Sequence, residues 1–110
     1  MSREGLGQFE LTVLLAVLRV GSEAYGVPIA RELEAATGRS VMLGSVYAAL
    51  GRLEAKGLVA WDIGEPTAAR GGRAKKYFRV TAKGVRQVRD AQRTLTKLWR
   101  NLPALHGGRA

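Results

Sequence analysis

Cysteine is absent from the 110 residues, which excludes disulfides, thiol nucleophiles and thiolate metal sites. Histidine occurs once, as His106 in a Gly-rich tail, and no carboxylates stand at a catalytic or metal-ligand spacing. No enzyme activity, cofactor or metal is expected. Long apolar runs are missing as well: the longest, Val13 to Leu18, falls far short of the roughly 20 residues that span a membrane, and no basic-then-apolar leader opens the chain. A soluble, cytoplasmic protein without a membrane partner is the expectation.

Acidic residues are scarce, nine against eighteen lysines and arginines, and the imbalance lies in one half. Residues 1 to 65 hold six basic and eight acidic side chains, a net −2, whereas residues 66 to 110 hold twelve basic ones and only Asp90, a net +11. A polyanion such as nucleic acid explains that asymmetry through counterion release, with plain solubility or an anionic membrane surface as the alternatives.

What is present reads as one small domain. Phe9 to Val20 is a helix apolar nearly all round, so part of it is expected to face a partner subunit, with Phe9 and Leu14 as the residues there. A second helix is expected from Gly26 to Thr37, since Pro28 suits a first turn and Gly38 an end. A third is expected from about Ser45 to Lys56, with Gly44 or Ser45 as N-cap and Gly57-Leu58 as the stop.

The period then changes to two: Val59, Trp61 and Ile63 alternate with Ala60 and Asp62, and Lys76, Phe78 and Val80 with Tyr77 and Arg79. These are two strands of a β-hairpin around a long loop, residues 64 to 75. Thr81 then caps a last helix from Ala82 to about Asn101. The fold class is mainly α with a small hairpin (α+β), a winged helix-turn-helix. Its expected divisions are a DNA-binding domain over 1 to 81, a dimerisation helix over 82 to 102 and a flexible tail over 103 to 110.

In the third helix Val46, Ala49, Leu50 and Leu53 share one face and belong to the core. The opposite face carries Ala48, Gly51 and Ala55, flanked by Tyr47 on one side and by Ser45 and Arg52 on the other. Small residues permit close approach to another surface, and hydroxyl, phenol and guanidinium groups can bond phosphates or base edges. A solvated face is the plain alternative, but a glycine inside an exposed helix costs about 1 kcal/mol relative to alanine, so Gly51 calls for a reason. Arg70, Arg73, Lys75 and Lys76 on the hairpin complete a candidate duplex-binding surface as phosphate contacts.

Three segments together resemble the PadR family of bacterial transcriptional regulators: Ala24-Tyr25-Gly26-Val27-Pro28-Ile29, the run from Gly44 to Val59, and Lys75 to Gly84. The resemblance implies a homodimer bound to a palindromic promoter site, usually as a repressor, with Tyr47 and its neighbours in the groove and the lysines before Tyr77 at the wing. Tyr25 joins the DNA-binding set. Two departures stand out: Ala48 follows Tyr47 where family members often carry proline, and a single helix remains after the wing, as in the short branch of the family.

In that helix Val85, Val88, Gln92, Leu95, Trp99 and Leu102 step by threes and fours, with Ala91 and Leu98 beside them, a seam suited to a partner helix. Trp99 is either plain seam or part of a pocket for a small, flat aromatic effector, which the family's sensing of toxic compounds suggests. The rival to a sequence-specific regulator is a winged-helix module that binds protein, or nucleic acid without sequence preference.

Overall fold

The computed structural model describes residues 5–64 and 75–105. The elements follow in the order α1 (Gln8–Val20), a 3-10 turn (Gly21–Glu23), α2 (Gly26–Thr37), α3 (Leu43–Ala55), β1 (Val59–Ile63), β2 (Lys76–Val80), α4 (Ala82–Trp99) and a second 3-10 turn (Pro103–Leu105). Both strands and α2 have the bounds that alternation and Gly/Pro punctuation imply. The strands pair antiparallel in the register Val59 with Val80, Trp61 with Phe78 and Ile63 with Lys76. The main-chain N–H of Phe78 also donates to the carbonyl of Ala24 at 2.8 Å, so the segment ahead of α2 closes the free edge of β2.

The core lies where α1, α2, α3 and the hairpin meet. Val13, Leu14 and Val17 of α1, Ile29 and Leu33 of α2, Val46, Ala49, Leu50 and Leu53 of α3, and Leu58, Val59 and Phe78 are all buried. Leu14 is fully inside this cluster, which corrects its expected place at a partner subunit. The outward ridge of α1 is instead Leu11, Leu15 and Leu18, of which the last two are more than two-fifths exposed. Phe9 is half-buried against the core and lines a shallow hollow with Val41 and Met42, away from α4.

Helix α3 starts two residues before Ser45, and its N-cap is Met42, whose side chain supplies no cap bond. It ends in a Schellman turn: Leu58 N–H bonds the Leu53 carbonyl, Gly57 N–H bonds that of Glu54, and Gly57 takes φ +77°. Leu58 is thereby driven into the core and the chain reverses into β1. Thr81 then docks α4 onto the same turn. Its hydroxyl donates to the Gly57 carbonyl at 2.7 Å and accepts from Gly84 N–H at 3.0 Å, while its own N–H donates to the Leu58 carbonyl.

One carboxylate fastens α1 to α3. Glu10 is buried; its Oε1 accepts from Lys56 Nζ at 2.7 Å and from Gly7 N–H at 3.2 Å, and its Oε2 accepts from Arg52 Nε at 2.8 Å. Hydrogen bonding to the Lys56 ammonium outweighs the opposing effect of burial, and with help from Arg52 and Gly7 it holds the carboxyl at about 2, below its ordinary 4.5. A lowered value means stability that is complete above pH 4.5 and drains away as pH falls towards 2. Acid unfolding curves are therefore expected to flatten over that window in Glu10→Gln, whose stability at neutral pH falls by about 2 kcal/mol for the loss of charge-assisted bonds. An unchanged acid limb in the variant would remove Glu10 from the linkage.

Candidate nucleic-acid interface

The outward face of α3 is built by exclusion. With Val46, Ala49, Leu50 and Leu53 buried, Gly44, Ser45, Tyr47, Ala48, Gly51, Arg52 and Ala55 are left exposed. Among the described residues, a Cβ placed on Gly51 or on Gly44 would meet nothing within 4 Å beyond its own helix backbone and neighbours. No packing among the described residues accounts for Gly51. The helix runs unbroken through Ala48, so the lack of proline after Tyr47 leaves its path intact.

Tyr47 reaches back to α2. Its ring lies across Gly26, the buried first residue of α2, where any Cβ would overlap the ring. Tyr25, the N-cap residue of α2, stands edge-on to Tyr77 of β2 with ring centroids 5.5 Å apart. Lys75 Nζ sits 4.3 Å above the Tyr25 ring, and Lys76 Nζ 4.2 Å above that of Trp61. One aromatic seam thus joins the start of α2, the exposed face of α3 and the base of the wing. The glycine of the Ala24–Ile29 motif is what lets Tyr47 lie down there, a role that only the long-range contact reveals.

Of the residues expected to bind DNA, Ser45, Tyr47, Ala48 and Gly51 share the outward side of α3, Tyr25 and Lys75 meet where α2 starts and the wing begins, and Lys76 stands on the other face of the strand, over Trp61. Arg52 has a second commitment that sequence reading missed, because its Nε is engaged by Glu10 while about half of its side chain stays exposed. Arg70 and Arg73 lie outside the described residues. The cations of the wing base and the absence of exposed carboxylates on α3 other than Glu54 give this side a positive character.

The expected seam of α4 divides in two. Val88 packs against the core and Val85 is half-buried, whereas every residue from Gln92 to Leu105 is exposed, with Leu98 at 67% and Trp99 at 59%. Between α4 and α1 lies an apolar groove of about 540 Å³ whose walls include Leu11, Leu15, Val88, Leu95 and Trp99. Pro103–Leu105 forms a helical turn rather than the start of a structureless tail. Among the described residues no helix is long and apolar enough to cross a membrane, and no group of acidic or histidine side chains could hold a metal ion.

Solved structures share this architecture. A PadR-like transcription factor from Bacteroides fragilis is 27% identical, with 84% of each chain covered and a TM-score of 0.69. The protein hsRosR-S1, solved as a complex, is 30% identical over 87% of this chain and 79% of its own, with a TM-score of 0.64. A PadR family regulator from Clostridium difficile is 21% identical and shares the fold at a TM-score of 0.68, over 86% of this chain and 93% of its own. No curated protein gives a match. The model of the transcriptional regulator PadR-like family matches residues 14–90, most of the domain described above. The chain is a DNA-binding regulator rather than an enzyme, and it belongs to the PadR-like family of transcriptional regulators.

Proposed function

We propose that the chain is a sequence-specific repressor that acts as a homodimer on a palindromic operator. The carrying observation is the exposed face of α3, where Gly51 has open space around it and Tyr47 is fixed against Gly26. Residues 1 to 81 form the DNA-binding unit, with Ser45, Tyr47, Ala48 and Gly51 at base edges, Arg52 at the border of the groove, and Tyr25, Lys75 and Lys76 at phosphates. Arg70 and Arg73, outside the described residues, join them as phosphate contacts. The work of such a regulator is done in the cytoplasm, on promoter DNA.

The two classes of contact have different signatures. Tyr47→Ala is expected to weaken operator binding about tenfold or more while leaving random DNA nearly unaffected. Lys76→Ala weakens both alike and lowers the salt slope by about 1. Competition shifts with operator and random duplexes measure this, and equal losses on both duplexes for both variants would contradict the division.

Dimerisation rests on the uncovered half of α4. Leu95, Leu98, Trp99 and Leu102 expose apolar surface that a second copy would cover, together with Leu15 of α1. Val85, Val88 and Gln92 continue that seam towards the domain. Leu95→Glu is expected to give monomers by sedimentation and much weaker operator binding. The groove beside Trp99 is the proposed seat of a flat aromatic effector that relieves repression. In a Trp61→Phe chain such compounds should quench Trp99, and Leu95→Glu should abolish the quenching; an unchanged Trp99 signal would refute the effector site.

A further inference from the structure

The wing accounts for only part of the positive charge, because Lys83, Arg86, Arg89, Arg93, Lys97 and Arg100 all lie on or just after α4, with Asp90 as the one acid among them. At 100° per residue, the five arginines and lysines from Arg86 to Arg100 fall within an arc of about 80°, on the far side of the helix from Val88, Leu95 and Trp99. All five are exposed or half-exposed. Among the described residues the one ion pair of these five is Arg93 with Asp90, and no carboxylate pairs with Arg86, Arg89, Lys97 or Arg100. Neighbours three and four positions apart repel one another, a cost that among the described residues only the pairing of Arg93 with Asp90 offsets.

We infer that this stripe is a second duplex-binding surface, distinct from α3 and the wing, which holds DNA by its phosphates without reading sequence. Charge complementarity selects the partner. The stripe from Arg86 to Arg100 is about 21 Å long, and a duplex presents one negative charge per about 1.7 Å of its axis, so several phosphates lie within reach of five cations. Because α4 packs on α1 and β2 rather than on the outward face of α3, the stripe meets a stretch of DNA other than the one under α3. Its long side chains can follow a phosphate backbone, while the exposed apolar residues on the other side of the helix, Leu95, Leu98 and Trp99, stay free for a second copy. The inference rests on the reading of the chain as a duplex binder but not on its sequence specificity.

The test uses the full chain and a labelled duplex of random sequence, about 40 base pairs long, so that DNA extends well beyond one groove site. A groove-blocked chain carrying Gly51→Glu, Lys75→Glu and Lys76→Glu should keep binding this duplex at about 50 mM salt. Adding Arg89→Gln, Arg93→Gln and Lys97→Gln should weaken that residual binding at least tenfold. In the otherwise unmodified chain the same three substitutions should lower the salt slope by about 2 to 3, at roughly 0.9 for each phosphate no longer neutralised. Circular dichroism and sedimentation establish that the glutamine variants keep their helix and their assembly state. No residual binding by a folded groove-blocked chain, or a salt slope that the glutamines leave unchanged, would overturn the inference. So would a groove-blocked chain that binds phosphatidylglycerol vesicles but not the duplex. A groove-blocked chain that binds random and operator DNA as tightly as the unmodified one would leave the stripe supported and remove the α3 reading instead.

Discussion

Gly84→Ala is expected to destabilise the domain by about 3 kcal/mol, the upper range for overpacking a site that cannot relax. The first turn of α4 lies against the carbonyl of Leu58, and an added Cβ would overlap that oxygen and approach Val80 Cγ1 to 2.6 Å. Leu58 is held from both sides. Its N–H closes the Schellman turn of α3, and its carbonyl accepts from Thr81. The backbone cannot withdraw without breaking the turn that aims β1 or the cap that starts α4. Alanine is ordinarily the better helix former by about 1 kcal/mol, so a large loss at this helical position is the signature of the close approach. Urea unfolding measures it. A variant as stable as the parent would mean that α4 does not sit on the α3–β1 turn.

Gly51 is expected to give the opposite pattern, with gain in stability and loss of binding. Among the described residues nothing stands where its Cβ would go, so Gly51→Ala should raise stability by about 1 kcal/mol through helix propensity alone. Gly51→Glu should also fold at least as well as the parent, since glutamate favours helices. Its carboxylate, however, would be set against phosphates and base acceptors at the closest point of approach, where a juxtaposed like charge costs several kcal/mol. Operator binding should therefore fall by about a hundredfold or more. A Gly51→Glu chain that is stable and still binds its operator would show that this face of α3 does not enter a groove.

How much of this was legible in the sequence depends on whether a signal is local. The bounds of α2 and of both strands were readable because Gly38, Gly57 and the alternation of Val59, Trp61 and Ile63 act within a few residues. The start of α3 was not. Met42 caps without a side-chain bond, so no Ser or Asp marked the boundary, and the helix opens on main-chain bonds alone, from Ser45 and Val46 N–H to the Met42 carbonyl. In α1 the apolar residues occupy nearly the whole circumference, so periodicity could show that two surfaces exist but not which was inward; Leu14 went to the core and Leu15 outward.

The site shows the same division. The small face of α3 follows from 100° spacing, whereas the Tyr47 contact with Gly26 and the Glu10 bridge to Arg52 and Lys56 join residues 21 to 46 positions apart. Glu10 in a largely apolar helix was the available hint, since a buried carboxylate requires partners. The chain then supplied two cations from the far end of α3.

The decisive measurement for a sequence-specific dimer is selection of bound fragments from a random DNA pool by the unmodified chain. One motif with two-fold symmetry should be enriched, its half-sites about one helical turn, or roughly 10 base pairs, apart, as a dimer presenting two copies of α3 requires. A pool that binds without enrichment of any sequence would contradict it.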